Sequence, residues 1–124
     1  MPQRVFEIKH SGGVLIVAPR GDAVGFREAD VNDSVSHVLE QVGRLTPPLV
    51  VADLGNSNYF GSVIIGALVT FSEQVKQAGG AFAVCRVSDE MRGVLGVMHL
   101  DQHWITCDTR REAVRAVRRA ASGD

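Results

Sequence analysis

Residues 49–88 read LVVADLGNSNYFGSVIIGALVTFSEQVKQAGGAFAVCRVS, and this stretch decides the fold. Leu49-Val50-Val51-Ala52 is a continuous apolar run, the pattern of a strand covered on both faces. From Ser62 the period becomes helical, continues to about Ala78 and stops at Gly79-Gly80. Ala81 to Val87 is apolar again, a second buried strand. Two buried strands joined by a helix lie parallel in one sheet.

The flanking sequence extends this pattern in both directions. Val5 to Lys9 alternates apolar and polar residues, Ser11-Gly12-Gly13 forms a turn, and Val14-Leu15-Ile16-Val17 follows, which predicts a hairpin. Pro19 to Gly25 reads as loop. Val31, Val35, Val38, Leu39 and Val42 form one apolar stripe on a polar helix; Gly43 sits at its expected cap and Pro47-Pro48 prevents its continuation. On the C-terminal side, Ser88-Asp89-Glu90 supplies an N-cap and first-turn acids for a helix that ends near His99. Trp104 to Cys107 is a short strand. Thr109 and Glu112 have capping-box spacing for a last helix, with Ala113, Val117, Ala120 and Ala121 on its apolar side. The predicted order is ββαβαβαβα: an α/β domain over residues 1–124, with a mostly parallel sheet, an antiparallel edge hairpin and helices packed against it.

Composition narrows the function. Thirteen Lys and Arg against fourteen Asp and Glu give a net charge of −1, so whole-chain charge favours neither nucleic acid nor an anionic membrane. A chain of 124 residues builds a sufficient core without disulfides. Its two cysteines, Cys85 and Cys107, each lie in an apolar run, where a free thiol behaves as a small hydrophobe and a reducing compartment is expected. No stretch approaches the roughly 20 apolar residues of a membrane span, and the N-terminus lacks the form of a signal peptide. The expectation is a cytoplasmic protein.

Placed on a wheel at about 100° per residue, the helix from Ser62 puts Ile64, Leu68, Phe71, Val75 and Ala78 toward the sheet. Ser62, Gly66, Val69 and Glu73 fall on the opposite side. A serine opening a helix has two uses. Its hydroxyl caps an unpaired N–H, or it carries a phosphate that the helix N-terminus tolerates. Val69, with Ile65 on its flank, sits beside Gly66, which permits close approach. This reads either as a docking surface or as a patch lying under a neighbouring loop.

These residues resemble the STAS domain of bacterial anti-sigma-factor antagonists. In that family an apolar strand ends in a Asp-Leu or Asn-Leu pair, a short loop leads to a D-S-S-G-L-G helix start, the helix ends in Gly-Gly, and a strand with a VVC-like core follows. Asp53-Leu54, the loop, Gly66, Gly79-Gly80 and Ala83-Val84-Cys85 match this pattern. Leu100 matches the leucine after the third helix, and Gly21-Asp22 the Gly-acid pair after the second strand. The similarity runs from about Val5 to Val117 and is strongest over Leu49 to Ser88. It implies a regulatory module that docks an anti-sigma serine kinase, or a related STAS-binding regulator, through its second helix. The implied phosphorylated serine is Ser62. The motif departs around it: Gly61 stands for the acid, Val63 for the second serine and Ile64 for the glycine. The implied partner-binding residues are Gly21, Asp22, Gly61, Ser62, Ile65, Gly66 and Val69. The alternative is an unphosphorylated STAS scaffold or a small-ligand-binding signalling domain, consistent with the missing acid and second serine.

Nothing in the sequence points to catalysis. His10, His37, His99 and His103 share no metal-ligand spacing on one helical face, and no phosphate-binding glycine loop or G-x-S-x-G elbow occurs. Neither a metal nor a cofactor nor a catalytic residue is expected. Arg110, Arg111, Arg115, Arg118 and Arg119 read as the solvated face of the last helix. The expected state is a monomer or weak homodimer.

Overall fold

The computed structural model describes residues 4–21 and 27–122. The elements in chain order are β1 (Phe6–Ser11), β2 (Val14–Pro19), α1 (Glu28–Gly43), β3 (Leu49–Asp53), α2 (Ser62–Gln77), β4 (Ala81–Cys85), α3 (Asp89–Val97), a 3-10 turn (Leu100–Gln102), β5 (Ile105–Cys107) and α4 (Arg110–Ala121). The five strands lie in the order β1-β2-β3-β4-β5, antiparallel between β1 and β2 and parallel thereafter. This is the mixed α/β sheet that the sequence predicts.

Register sorts the strand residues into two faces, because alternate side chains point to opposite sides. Leu15, Val50 and Phe82 form one row, and Val17, Ala52 and Val84 the next. These join the larger core with α1, α2 and α3; Phe71 of α2 meets Phe6 edge-on at 5.3 Å, and Phe82 meets Trp104 at 5.4 Å. The opposite face carries the row Lys9, Ile16, Val51, Ala83 and Ile105. There α4 lays Ala113 and Val117 on Val14, Ile16, Val51, Ala83 and Cys85. Three helices cover one face and a single helix covers the other. The asymmetry follows from the strand order: β2 to β5 are added one after another in the same direction, so the right-handed crossovers through α1, α2 and α3 all fall on one face, and the other face is left to α4.

The helix ends explain several differences from the sequence reading. Ala78, expected against the sheet, is the exposed C-cap of α2, where helical geometry has already ceased. Gly79 follows at φ +76°, a conformation that favours glycine, and a Cβ on Gly80 would collide with the Pro48 carbonyl. Gly43 is the last helical residue of α1, and Arg44 is the cap. Val87 and Trp104 are buried but lie outside strands, while Pro19 and Ser11 belong to them. Two caps hold as predicted: Ser88 Oγ accepts from Met91 N and Thr109 Oγ1 from Glu112 N, each at 3.1 Å. No described helix is long and apolar enough to cross a membrane.

Candidate functional site around the start of α2

The segment between β3 and α2 is pinned from several sides. Asp53, buried at the end of β3, accepts from Gly55 N at 2.9 Å. Leu54 N donates to the Cys85 carbonyl at 3.0 Å, and Asn56 Nδ2 to the Pro19 carbonyl at 3.2 Å. Ser57 closes a small turn with Tyr59, donating to its carbonyl at 3.0 Å and accepting from its N–H at 3.2 Å. Phe60 is buried, its N–H 3.3 Å from the Met91 sulfur, and Ser88 Oγ donates to the Asn58 carbonyl. The loop is thus fastened to β2, β4 and the start of α3, and it delivers the first turn of α2 in a fixed position.

That first turn is open. The N-cap of α2 is Gly61, no side chain caps it, and no acid lies in the first turn. Ser62 is therefore the first helical residue and is exposed, with its hydroxyl outside the capping position. The capping role suggested by the sequence is corrected: the cap residue is one position earlier and has no side chain. The other three helices carry acids in their first turns. Within its own first turn, the partial positive charge at the start of α2 has no such partner among the described residues.

Around Ser62 the structure gathers some of the expected residues and excludes others. Gly66 is exposed, and a Cβ added at Gly61 or Gly66 would meet nothing within 4 Å. Neither glycine is needed for packing. Gly21 abuts the loop, because a Cβ there would strike the Asn56 carbonyl. Asp22 lies outside the described residues. Ile65, expected as an exposed flank residue, is only 2% exposed and belongs to the main core; Val69 is partly buried against it. α1 packs against α2, and the main core extends to this side of the helix. The open side is rotated the other way, to Val63 and Tyr59, which are 55% and 52% exposed. The sequence reading did not select these two. The aromatic-glycine-serine-valine order was visible, but the direction from which α1 approaches was not.

A second polar cluster stands behind the loop. Asp53 accepts from Arg110 Nε at 2.8 Å and from Arg86 Nη1 at 3.4 Å, joining β3, the exit of β4 and the start of α4. Arg86 holds φ +56°, and its guanidinium lies against Gly55. Arg110 therefore leaves the solvated face that the sequence suggests and becomes a link between elements.

A family model for the STAS domain matches residues 5–113. No curated protein matches the chain significantly. Among solved structures, an anti-sigma-factor antagonist (STAS) domain protein from Planctomyces limnophilus is similar at 30% identity, covering 90% of this chain and 97% of that one, with a TM-score of 0.78. A serine-to-glutamate variant of RsbS from Moorella thermoacetica shares the fold at 14% identity and a TM-score of 0.78, covering 94% and 97% of the two chains. SpoIIAA in its unphosphorylated form does so at 18% identity and a TM-score of 0.61, covering 91% and 97%. The sheet order, the Asp53-Leu54 strand end and the open helix start therefore sit in a chain whose matched span takes in nearly every element, and the protein belongs to the STAS domain family.

Proposed function

We propose that this protein is an anti-sigma-factor antagonist that docks a regulatory protein, an anti-sigma serine kinase or a related STAS-binding regulator, through the first turns of α2. The observation that carries this reading is the surface made by Ser62, Gly66, Tyr59 and Val63: a hydroxyl at an uncapped helix start, two exposed apolar side chains, and a glycine with open space above it. Exposed apolar groups on a rigid support suit a protein partner. In this role the protein binds and is not a catalyst.

Phosphorylation of Ser62 would switch the surface off. A phosphoserine adds a charge of about −1.5 to −2. At the start of α2 that charge favours the fold by about 0.3–1 kcal/mol. In a partner interface built on Tyr59 and Val63 it would be desolvated and repelled. Two fold neighbours support this reading by their own descriptions, one in an unphosphorylated form and one with glutamate replacing serine. Gly61 and Val63, where the family motif has an acid and a second serine, favour a second reading: an unphosphorylated scaffold using the same surface.

The test combines capture, titration and mapping. The protein is incubated with its cognate kinase and ATP, and modified residues are located by mass spectrometry. Phosphate is expected on Ser62. Ser62→Glu and Val63→Asp should each weaken the complex at least about tenfold while far-UV circular dichroism stays unchanged, since both positions are exposed. Gly66→Arg should do the same. Binding loss without phosphate on Ser62 selects the scaffold reading; full affinity in all three variants removes α2 as the docking element.

A further inference from the structure

The side of the sheet away from α1, α2 and α3 carries a feature that the proposed docking surface does not use. Because α4 covers β3, β4 and β5, a trough of about 370 Å³ remains between its flank and the outer face of the hairpin. A second cavity of about 270 Å³ adjoins it, sharing Lys9, Ile16 and Arg110. The larger volume lies within the roughly 300–1,000 Å³ of small-molecule sites. Ile16 and Val114 give it an apolar floor, and Lys9, Arg110, Arg111, Arg115 and Arg118 surround that floor.

The charge is concentrated and its arrangement is partly fixed. The whole chain has a net charge of −1, yet five cations converge here; the carboxylates beside them are Asp53, bonded to Arg110, and Glu7, at the adjoining cavity. Arg110 is oriented by Asp53, but that carboxylate also serves Arg86, so the trio retains one positive charge. Arg118 donates to the Gly12 carbonyl at 2.8 Å, tying α4 to the hairpin turn. On α4 itself Arg111 and Arg115 stand at i,i+4, and Glu112 is the single acid among the helix residues. Like charges at that spacing repel each other and destabilise the helix. An anion seated among them would remove that repulsion.

We propose that this trough binds a small organic anion with a short apolar body, a phosphate monoester or a carboxylic acid, whose head meets Arg111, Arg115 and Lys9 and whose body lies on Ile16 and Val114. The site lies on the opposite face of the sheet from Ser62, and its occupancy is independent of the α2 reading.

Phenyl phosphate is the probe, with inorganic phosphate and phenol as separate arms, followed by calorimetric titration and amide chemical shifts on the full chain. Phenyl phosphate should bind about tenfold more tightly than either half alone, because charge and apolar contact are both required. The shifts should cluster at Lys9, Ile16, Val114 and Arg115. Arg115→Glu and Lys9→Glu should each weaken binding about tenfold or more, whereas Arg119→Glu, off the trough, should change it less than about twofold. Raising salt from about 0.05 to 0.5 M should weaken the phosphate-bearing probe and leave phenol unaffected. Equal weakening by Arg119→Glu, equal affinity for inorganic phosphate, or no binding of phenyl phosphate in the millimolar range would overturn the proposal. Circular dichroism of each variant confirms that the fold persists.

Discussion

At the scale of single residues, Cys85 shows how the sheet sets chemistry. Burial between the strands and α4, followed by the nearby Asp53 carboxylate, pushes its thiol from 9.0 up to about 12, against the opposing pull of Arg110 and Arg86. Cys107, directly opposite on β5, is also raised, mainly by burial and then by Glu112 and Asp108. Both stay protonated at neutral pH and are weak nucleophiles, which suits their state as free thiols. The folded protein holds the Cys85 proton through a range in which the unfolded chain releases it. This contribution to stability is therefore complete below pH 9.0 and is lost as pH rises toward about 12. The loss should approach about 1.4 kcal/mol per pH unit within that window. Cys85→Ala should lower stability at neutral pH through its cavity, yet flatten the alkaline slope. Urea midpoints at several alkaline pH values for the two proteins measure the difference; parallel slopes would refute the assignment.

At the scale of elements, the helical period is the readable quantity and the packing direction is not. Leu68 and Phe71 are fully buried as the wheel predicts, and Glu73 is exposed. Leu68→Ala and Phe71→Ala should each cost about 2–5 kcal/mol. Glu73→Ala should cost less than about 0.5 kcal/mol. Equal urea midpoints for Phe71→Ala and Glu73→Ala would mean that α2 is rotated. Apolar run length and caps reveal the strands and helices because those are local properties, as Ser88 and Thr109 show. The patch at Ile65 and Val69, which the sequence leaves open between a docking surface and a covered one, is buried and partly buried respectively, because that depends on tertiary packing and not on local pattern. The same limit hid Tyr59 and Val63. The Asp53 pairing with Arg110, 57 residues away, also left no local trace.

At the scale of the whole molecule, the two faces of the sheet are held very differently. One has three helices and a contiguous core from Val5 to Trp104; the other depends on α4, through Ala113 and Val117. Val117→Asp should therefore have an effect out of proportion to its size, placing an unpaired carboxylate at a fully buried position. The expected outcome is a loss of more than about 3 kcal/mol, with α4 released and a hydrophobic dye bound to the uncovered sheet. A variant that stays dye-free with an unchanged urea midpoint would show that α4 is not the lid.

The position of α4 in the chain order also bears on biosynthesis. Polypeptide leaves the ribosome N-terminus first, at roughly 5–20 residues per second. Four of the five strands emerge before α3, and α4 follows β5. For a few seconds Ile16, Val51, Ala83 and Cys85 belong to a sheet whose second face has no cover. Self-association between nascent chains, or capture by a holding chaperone, would peak in that interval and end when α4 docks.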